Sequence, residues 1–380
     1  LPDAPEGVKG ISLFVVPKFL PEDMSRNGIA CGSIEHKMGI HANPTCTLSF
    51  GEKDGAIGYL IGGENQGMAC MFTMMNSARL HVGLQGVSLG NRAFQQALAF
   101  AQERKQGKAI GSNEDMSLII DHPDVRRMLL TMKTQTEAVR NICYANAMAS
   151  DLAEHHPDED VRAKAKLRED LLTPISKAFS TDTGLDVTET GMQVHGGMGY
   201  IEETGAAQHY RDARIAPIYE GTNGIQAMDL AIRKLKMAGG QAVKDFLADV
   251  GDTVAALQET GDTDLAKIAG ALANAADAVA ETALWMGEQL KGDINNNLAG
   301  ATAYLKIFGL LAGGYYHALG ALAAKAHLDA GEGDAQFYQA KIITALYYTQ
   351  HYVSQVPALA PTARHGAEAL FALTPDQFAG

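Results

Sequence analysis

The hydrophobic pattern of the chain changes near residue 60. Before that point, short apolar runs alternate with Pro, Gly and Asn, which is typical of a β meander. The predicted strands cover residues 11–16, 46–50 and 57–61. From Gly67 onward the chain is rich in Ala, Leu, Met and Gln, a composition that favours long helices. The pattern therefore predicts a small β segment followed by a mainly helical chain.

The predicted helices form two groups, separated by the glycine pair Gly239 and Gly240. Helices of the first group are predicted over residues 68–109, 122–154 and 160–195, and a fourth runs from just after Glu220 to about residue 239. Four such helices in series predict an antiparallel bundle. Helices of the second group are predicted over residues 242–260, 264–290, 298–330 and 334–353.

These elements define a fold class and three predicted domains. The class is mainly α, with a partial β-domain, an antiparallel four-helix bundle and a second helical region at the C-terminal end. The predicted limits are residues 1–60 for the β remnant, 61–240 for the bundle and 241–380 for the helical extension.

Composition and charge exclude several classes of function. The net charge is −13, and phosphate neutralisation needs a basic face, so we expect no nucleic-acid partner. The four cysteines show no paired or metal-ligand spacing, so we expect reduced thiols and no metal. The most apolar stretch, residues 307–324, is interrupted by His317 and several glycines, so we expect a buried helix and no transmembrane segment. The expected location is the cytoplasm.

The segment over residues 211–226 holds the most informative carboxylate, Glu220. Pro217 resists extension of a helix from its N-terminal side, and Gly221 allows close approach of the backbone to a ligand. Thr222 or Asn223 can cap the helix that follows. A carboxylate in such a turn can act as a general base towards a weakly acidic C–H. The alternative is an acidic residue that only complements the helix dipole.

Three motifs together resemble those of acyl-CoA dehydrogenases, which are flavoenzymes that oxidise acyl-CoA thioesters to 2-enoyl-CoA. They are the run Arg-Asp-Ala-Arg…Ile-Tyr-Glu-Gly-Thr-Asn at residues 211–223, the run Gln-Val-His-Gly-Gly-Met-Gly-Tyr at residues 193–200, and the arginines Arg79 and Arg104 in the first long helix. The resemblance covers about residues 7–236, with the motifs in the order and spacing of the family.

The resemblance implies roles for the residues around Glu220. Glu220 is the implied base, and its backbone N–H is the implied donor to the thioester oxygen. Some relatives place the base just before Arg79, where this chain has Ala78, which favours Glu220. The implied substrate-binding residues are Asn76, Arg79, Tyr219 and Gly221. For Arg79, the alternative is an arginine on the helix surface.

The resemblance also implies FAD as the cofactor, because no side chain accepts the hydride that leaves the β-carbon. The implied FAD-binding residues are Arg104, Gln193, Gly196, Gly197, Thr222 and Gly224. The glycine cluster follows a helix, so it is no Rossmann fingerprint and taken alone would be an ordinary C-cap. Taken alone, Arg104 would be a cation that complements a helix end.

The implied partners are an acyl-CoA substrate and an electron-transfer flavoprotein. The flavin contacts of the family cross a subunit boundary, so we expect a homodimer or homotetramer. Two alternatives stay open: an acyl-CoA oxidase that uses O₂, and a catalytically silent helical scaffold. The chain begins with Leu, midway through the β-domain of the family, so we expect a fragment or processed chain, which limits what the isolated polypeptide can do.

Overall fold

A computed structural model describes residues 1–53 and 55–379 of the chain. The chain divides into two compact units, Leu1–Ala78 and Arg79–Gly380.

The first unit contains two small antiparallel sheets. Its strands are β1 (Leu13–Val15), β2 (Ile29–Ile34), β3 (Cys46–Phe50) and β4 (Tyr59–Ile61). Strand β1 pairs with β4, and β2 pairs with β3 through a register shift between Cys31 and Ser33. The sequence did not predict β2, because Cys, Gly and Ser interrupt its apolar positions. The first long helix, α1 (Gly67–Glu103), begins in this unit, where the N–H of Gly67 donates to the carbonyl of Ile11 at 2.8 Å.

The second unit begins within α1 and continues with the bundle helices. These are α2 (Pro123–His155), α3 (Glu159–His195), α4 (Ala206–Ala213) and α5 (Asn223–Asp229). Pro123 lies in the first turn of α2, where its missing N–H costs nothing. The Asp158 side chain caps α3 by accepting from the N–H groups of Asp160 and Val161. The mainly α class predicted from the sequence is confirmed.

Helices α1 and α3 lie close together because glycines face their contact. A Cβ on Gly83 would lie 2.3 Å from the carbonyl oxygen of Ser176, and one on Gly86 would lie 2.4 Å from that of Ser180. On the opposite helix, a Cβ on Gly184 would lie 2.5 Å from the carbonyl oxygen of Gly86. Only a residue without a side chain fits at these positions, so glycine fixes the separation of the two backbones.

Two predicted helix boundaries were wrong. The first helix ends at Glu103 rather than near residue 109. Directly after its end, Lys105 forms an isolated antiparallel β-bridge with Leu118. The fourth helix is shorter than predicted: α5 passes into a π-helical turn at Leu230–Lys234. A break follows at Ala238, whose φ is 48°. The short helix α4 was not predicted.

The C-terminal part of the second unit is helical within a few residues of the predicted bounds. The helices are α6 (Gln241–Glu259), α7 (Thr263–Gln289), α8 (Ile294–Ala330) and α9 (Ala335–His351), followed by the short α10 (Val356–Leu359) and α11 (Glu368–Phe371). Asp262, Asp293 and Asp334 cap α7, α8 and α9 with their side chains. Aspartate at these positions satisfies N–H groups that a helix start leaves unpaired.

One hydrophobic core joins the bundle to the C-terminal helices. It includes Ile142 and Leu171 from the bundle and Phe246 and Phe308 from the extension, all fully buried. Polar contacts cross the same boundary, for example between Lys341 and Glu137, whose Nζ and Oε2 atoms are 3.1 Å apart. The domain limits at residues 60 and 240 stay predictions.

Helix α8 is long and apolar enough to cross a membrane by length and composition. Within the protein, however, 72% of its most apolar 18-residue window is buried. That degree of burial is typical of the central helix of a core, and the fully buried Tyr304 and Ile307 belong to it.

Candidate active site

Two consecutive left-handed residues form the turn that carries Glu220. The φ angle of Glu220 is 56° and that of Gly221 is 83°. A positive φ is strained for any residue with a Cβ, so Glu220 is held there by its surroundings. The N–H of Asn223 closes the turn by donating to the carbonyl of Pro217 at 3.0 Å. The Thr222 side chain then caps α5 by accepting from Ile225 N.

Glu220 is half-buried. No residue that the structure describes in the second unit forms a hydrogen bond or ion pair with its carboxylate. Within the same described residues, its backbone N–H also lacks an acceptor, whereas Tyr219 N donates to the Ile215 carbonyl at 3.2 Å. The turn therefore presents a carboxylate and an adjacent N–H donor side by side, which is what removal of a proton next to a carbonyl requires.

A fully buried lysine, Lys177 of α3, lies beneath the turn. Its Nζ donates to the carbonyl oxygen of Ala216 and to Oδ1 of Asn223, each at 2.8 Å. The Asn223 amide in turn donates to Oδ1 of Asp182 at 2.7 Å. Burial and the nearby Arg79 lower the pKa of Lys177 to about 8, against the opposing effects of Asp182 and Glu220.

Arg79 of α1 lies close to the turn, since a Cβ on Gly221 would be 3.8 Å from its Nη2, and it is only 7% exposed. Its Nη1 is 3.6 Å from Oδ2 of Asp229 on α5, and Arg233 pairs with the same carboxylate. Burial lowers the pKa of Arg79, while Asp229 and Glu220 oppose that shift. The guanidinium thus places a desolvated positive charge near the Glu220 turn.

Two buried polar atoms near Gly221 have no hydrogen-bond partner among the described residues. They are Nε of Arg79 and Oε1 of Gln226. Gln226 is 0% exposed. Gln226 uses its other amide atom to donate to the Gly221 carbonyl at 3.3 Å. Unpaired buried polar groups are costly, so they mark this region as one where a ligand could supply the missing partner.

Tyr219 is anchored by its hydroxyl, which donates to Oε1 of Gln85 on α1. Burial raises the pKa of Tyr219, Glu220 adds to the increase, and Gln85 opposes it. The phenol is therefore a neutral contact at neutral pH, and its ring forms one wall of the turn.

The glycine cluster lies at the far end of α3. Gly196, with φ of 58°, ends the helix, and a Cβ on Gly196 or Gly197 would meet no atom within 4 Å. Gln193 and Arg104 are exposed. The ring of Phe100 on α1 packs on His195 with centroids 4.5 Å apart, so the ends of α1 and α3 lie together. This end of the bundle offers a bare backbone surface near one arginine and one amide.

The predicted site residues therefore fall into two clusters and one separate residue. Asp182, which is bonded to the Glu220 turn, precedes His195 by 13 positions on α3, so the clusters are about 20 Å apart along the helix. Thr222 ends the turn, and Gly224 lies in the first turn of α5, where it lines a cavity of about 410 Å³ between α3, α5, α8 and α9. Asn76 is half-buried on α1 within the first unit and belongs to neither cluster.

Sequence reasoning missed Lys177, Gln226 and Asp229. Lys177 carried a detectable signal, because it is a single charge within the apolar stretch of α3 that includes Ile175 and Phe179. Gln226 and Asp229 gave no such signal, since each is an ordinary polar residue near a helix start.

Comparison with solved structures defines the fold. The ACDH-11 protein of Caenorhabditis elegans matches 97% of this chain and 58% of its own, with a TM-score of 0.78 at 21% identity. An acyl-CoA dehydrogenase from Bacillus anthracis matches 97% of this chain and 62% of its own, with a TM-score of 0.70 at 20% identity. At these identities the likeness concerns the fold.

Sequence comparison gives the family. Residues 65–235 match the family model for the acyl-CoA dehydrogenase C-terminal domain, and residues 246–374 match the model for the acetyl-CoA dehydrogenase C-terminal-like domain. The chain therefore belongs to the acyl-CoA dehydrogenase family, and it carries the two C-terminal domains that these models describe.

Two curated relatives illustrate the similarity. The chain is 46% identical over 362 residues to a 3-methylmercaptopropionyl-CoA dehydrogenase of Ruegeria pomeroyi, covering 94% of this chain and 60% of the relative. It is 34% identical over 371 residues to a butyryl-CoA dehydrogenase of Syntrophomonas wolfei, covering 93% of this chain and 60% of the relative. The chain thus spans about three fifths of the length of these relatives.

Proposed function

We propose that this protein catalyses the FAD-dependent α,β-dehydrogenation of an acyl-CoA thioester to 2-enoyl-CoA, with Glu220 as the base. The observation that carries the proposal is the strained turn, in which the carboxylate and the N–H of one residue both lack a hydrogen-bond partner among the described residues of the second unit. Strain of this kind persists where function requires a particular geometry. Family membership supports the same reaction.

Each group in the turn has a task in this reaction. The Glu220 carboxylate removes the α-proton and holds it. The Glu220 N–H donates to the thioester oxygen, which stabilises the negative charge that develops there. Arg79 is a buried cation close to Gly221 and adds a favourable field for that charge. When bound, FAD accepts the hydride that leaves the β-carbon.

The substrate contacts surround the base. Tyr219 and Gly221 flank Glu220 in the chain, and the absence of a side chain on Gly221 leaves the turn open to the thioester. We also propose Arg79 and Asn76 as substrate-binding residues, on the strength of the family resemblance. The unpaired Nε of Arg79 supports a polar contact with the substrate.

The residues proposed for FAD binding fit a cofactor shared between two copies of the chain. The bare glycine surface at Gly196 and Gly197 can accept a ligand in direct contact with the backbone. Arg104 and Gln193 would contact the pyrophosphate and adenosine half there, while Thr222 contributes from the turn and Gly224 from the start of α5. Because the flavin contacts of the family cross a subunit boundary, we propose that the two clusters serve different FAD molecules in a homodimer or homotetramer.

The relatives support a short or specialised thioester as substrate. The two compared above are named for 3-methylmercaptopropionyl-CoA and butyryl-CoA, both of which have short acyl groups. We propose a substrate of this class, and an electron-transfer flavoprotein as the acceptor that reoxidises the flavin. The proposed location is the cytoplasm.

Anaerobic titration of the FAD-loaded natural protein tests the proposal. We expect 3-methylmercaptopropionyl-CoA or butyryl-CoA to bleach the flavin absorbance, and a long-chain thioester such as palmitoyl-CoA to do so poorly. Formation of stoichiometric peroxide in air would show that the protein is an acyl-CoA oxidase and not a dehydrogenase. A protein that binds FAD but is bleached by none of the thioesters would overturn the proposed function.

A further inference from the structure

Lys177 is a buried charged group at the candidate active site, and the proposed reaction gives it no role. It is 0% exposed, although lysine is among the residues that are rarely buried without a partner. Burying an ammonium is costly unless hydrogen bonds compensate for the lost water. Both of its hydrogen bonds go to the segment that carries Glu220.

The two acceptors of Lys177 bracket the base in the chain. The carbonyl of Ala216 comes four residues before Glu220, and the side chain of Asn223 comes three residues after it. One ammonium group therefore joins the entry and the exit of the turn. A turn with two left-handed residues needs such a clamp, because the strained φ of Glu220 favours relaxation to another conformation.

Asn223 extends this clamp into α3. Besides accepting from Lys177, it donates to Oδ1 of Asp182 at 2.7 Å and to Oγ1 of Thr181 at 3.0 Å. The first residue of α5 is thus fixed to the same helix that supplies the lysine. The electrostatic partners of Lys177 come from three elements: Arg79 on α1, Asp182 on α3 and Glu220 on the turn.

We propose that Lys177 is a positioning residue that holds the Glu220 turn in its active geometry by bridging Ala216 and Asn223. This inference rests on the proposed function for its effect on catalysis, but the bridge itself is a property of the fold. A turn that relaxes moves both the carboxylate and the N–H away from the thioester. A displacement of that kind, on the order of 1 Å, costs about a hundredfold in rate.

The test compares Lys177→Met with Lys234→Met in the FAD-loaded protein. Lys234 is a matched control, because it is also a buried lysine and pairs with Asp170 at 2.9 Å, away from the turn. We expect Lys177→Met to bind FAD, to lower kcat by about tenfold or more, and to leave KM within about twofold. Lys234→Met should retain the wild-type kcat. Equal losses in the two variants, or a wild-type kcat in Lys177→Met, would overturn the proposal.

A second readout is independent of activity. Hydrogen–deuterium exchange of the apo-protein reports the amides of Tyr219 and Asn223, which are hydrogen-bonded within the turn. We expect their exchange to be about tenfold faster or more in Lys177→Met and unchanged in Lys234→Met. Unchanged exchange in Lys177→Met would refute the clamp, even if catalysis were affected.

Two further measurements keep the proposal testable if Lys177→Met does not fold or if the wild-type protein is inactive. If Lys177→Met does not fold, Asn223→Ala removes the other half of the bridge; we expect the same faster exchange and lower kcat, and wild-type values of both would overturn the proposal. If the wild-type protein itself shows no thioester-dependent bleaching, the proposed function fails. The exchange measurement then still decides whether Lys177 holds the turn.

Discussion

The guanidinium of Arg79 and the carboxylate of Asp229 form a buried ion pair, in which Nη1 and Oδ2 are 3.6 Å apart and both side chains are 9% exposed. The pair connects α1 to α5 and lies close to Gly221, since a Cβ on that glycine would be 3.8 Å from Nη2 of Arg79. Asp229 thus compensates a charge that would otherwise be costly to bury next to the active-site turn.

Replacing Asp229 with Asn should destabilise the protein by about 3 kcal/mol, because the buried guanidinium of Arg79 loses its counter-ion. The control is Glu281→Gln, which removes an exposed pair with Arg364 and should cost less than about 1 kcal/mol. Denaturant unfolding of both variants measures the difference. Equal stability of the two variants would show that the Arg79 pair contributes no more than a surface contact.

Adding a methyl group at Gly86 should separate α1 from α3. Gly86→Ala places a Cβ 2.4 Å from the Ser180 carbonyl, and overpacking of this kind costs about 1–3 kcal/mol. Gly251→Ala in α6 is the control. A Cβ there meets no atom within 4 Å, so the free energy of unfolding should rise by about 0.5–1 kcal/mol. Thermal unfolding should therefore shift in opposite directions for the two variants. A shift of the same sign would contradict the close contact.

The turn glycine Gly221 has a matched control in Gly261. Both have a positive φ, 83° and 67°, so alanine is strained at either position. Only at Gly221 does a Cβ meet a neighbour, Nε2 of Gln226 at 2.8 Å. We expect Gly221→Ala to lower the rate of flavin reduction by about tenfold or more and Gly261→Ala to leave it unchanged. If both variants reduce the flavin at the wild-type rate, the geometry of the turn is not critical.

The buried His317 predicts a pH dependence of stability. Burial lowers its pKa from 6.5 to about 4, outweighing the hydrogen bond from Nε2 to the Thr134 carbonyl. Between these values the unfolded chain binds a proton that the folded protein excludes, so stability rises with pH. The His317 contribution is complete above about pH 6.5 and is lost as the pH falls towards 4.

The variant His317→Gln isolates this contribution, because glutamine can donate to Thr134 and does not titrate. The stability of the wild type relative to the variant should fall by up to about 3 kcal/mol between neutral pH and about pH 4. Denaturant unfolding across that range gives the measurement. Parallel pH profiles for the two proteins would mean that His317 does not titrate as described.

Sequence patterns predicted the helices best where local signals agree. In the C-terminal part, α7 and α9 each begin directly after a capping aspartate, so their limits were predicted within about two residues. The predictions failed where the context decides the conformation. Strand β2 exists through pairing with β3, and the π-helical turn at Leu230–Lys234 interrupts a segment whose apolar pattern continues.

In the active-site turn, too, local features were predicted from the sequence and long-range contacts were not. Pro217, Gly221 and Thr222 are local signals, and they were sufficient to place Glu220 before the start of a helix. The supports of the turn are contacts over long sequence distances, such as that between Lys177 and Asn223, and a local residue pattern does not specify which residues pair. The unpaired N–H of Glu220 also depends on the φ angle of this one residue, which no residue pattern specifies.

The most direct test of the account measures proton exchange at the α-carbon of a bound thioester. In D₂O, the FAD-loaded wild-type protein should incorporate deuterium at the α-carbon of 3-methylmercaptopropionyl-CoA or butyryl-CoA, whichever bleaches the flavin. Mass spectrometry of the recovered thioester follows this exchange. Glu220→Gln, which keeps the shape of the side chain but cannot accept the proton, should abolish the exchange while FAD stays bound. Exchange at the wild-type rate in Glu220→Gln would remove Glu220 from the role of base.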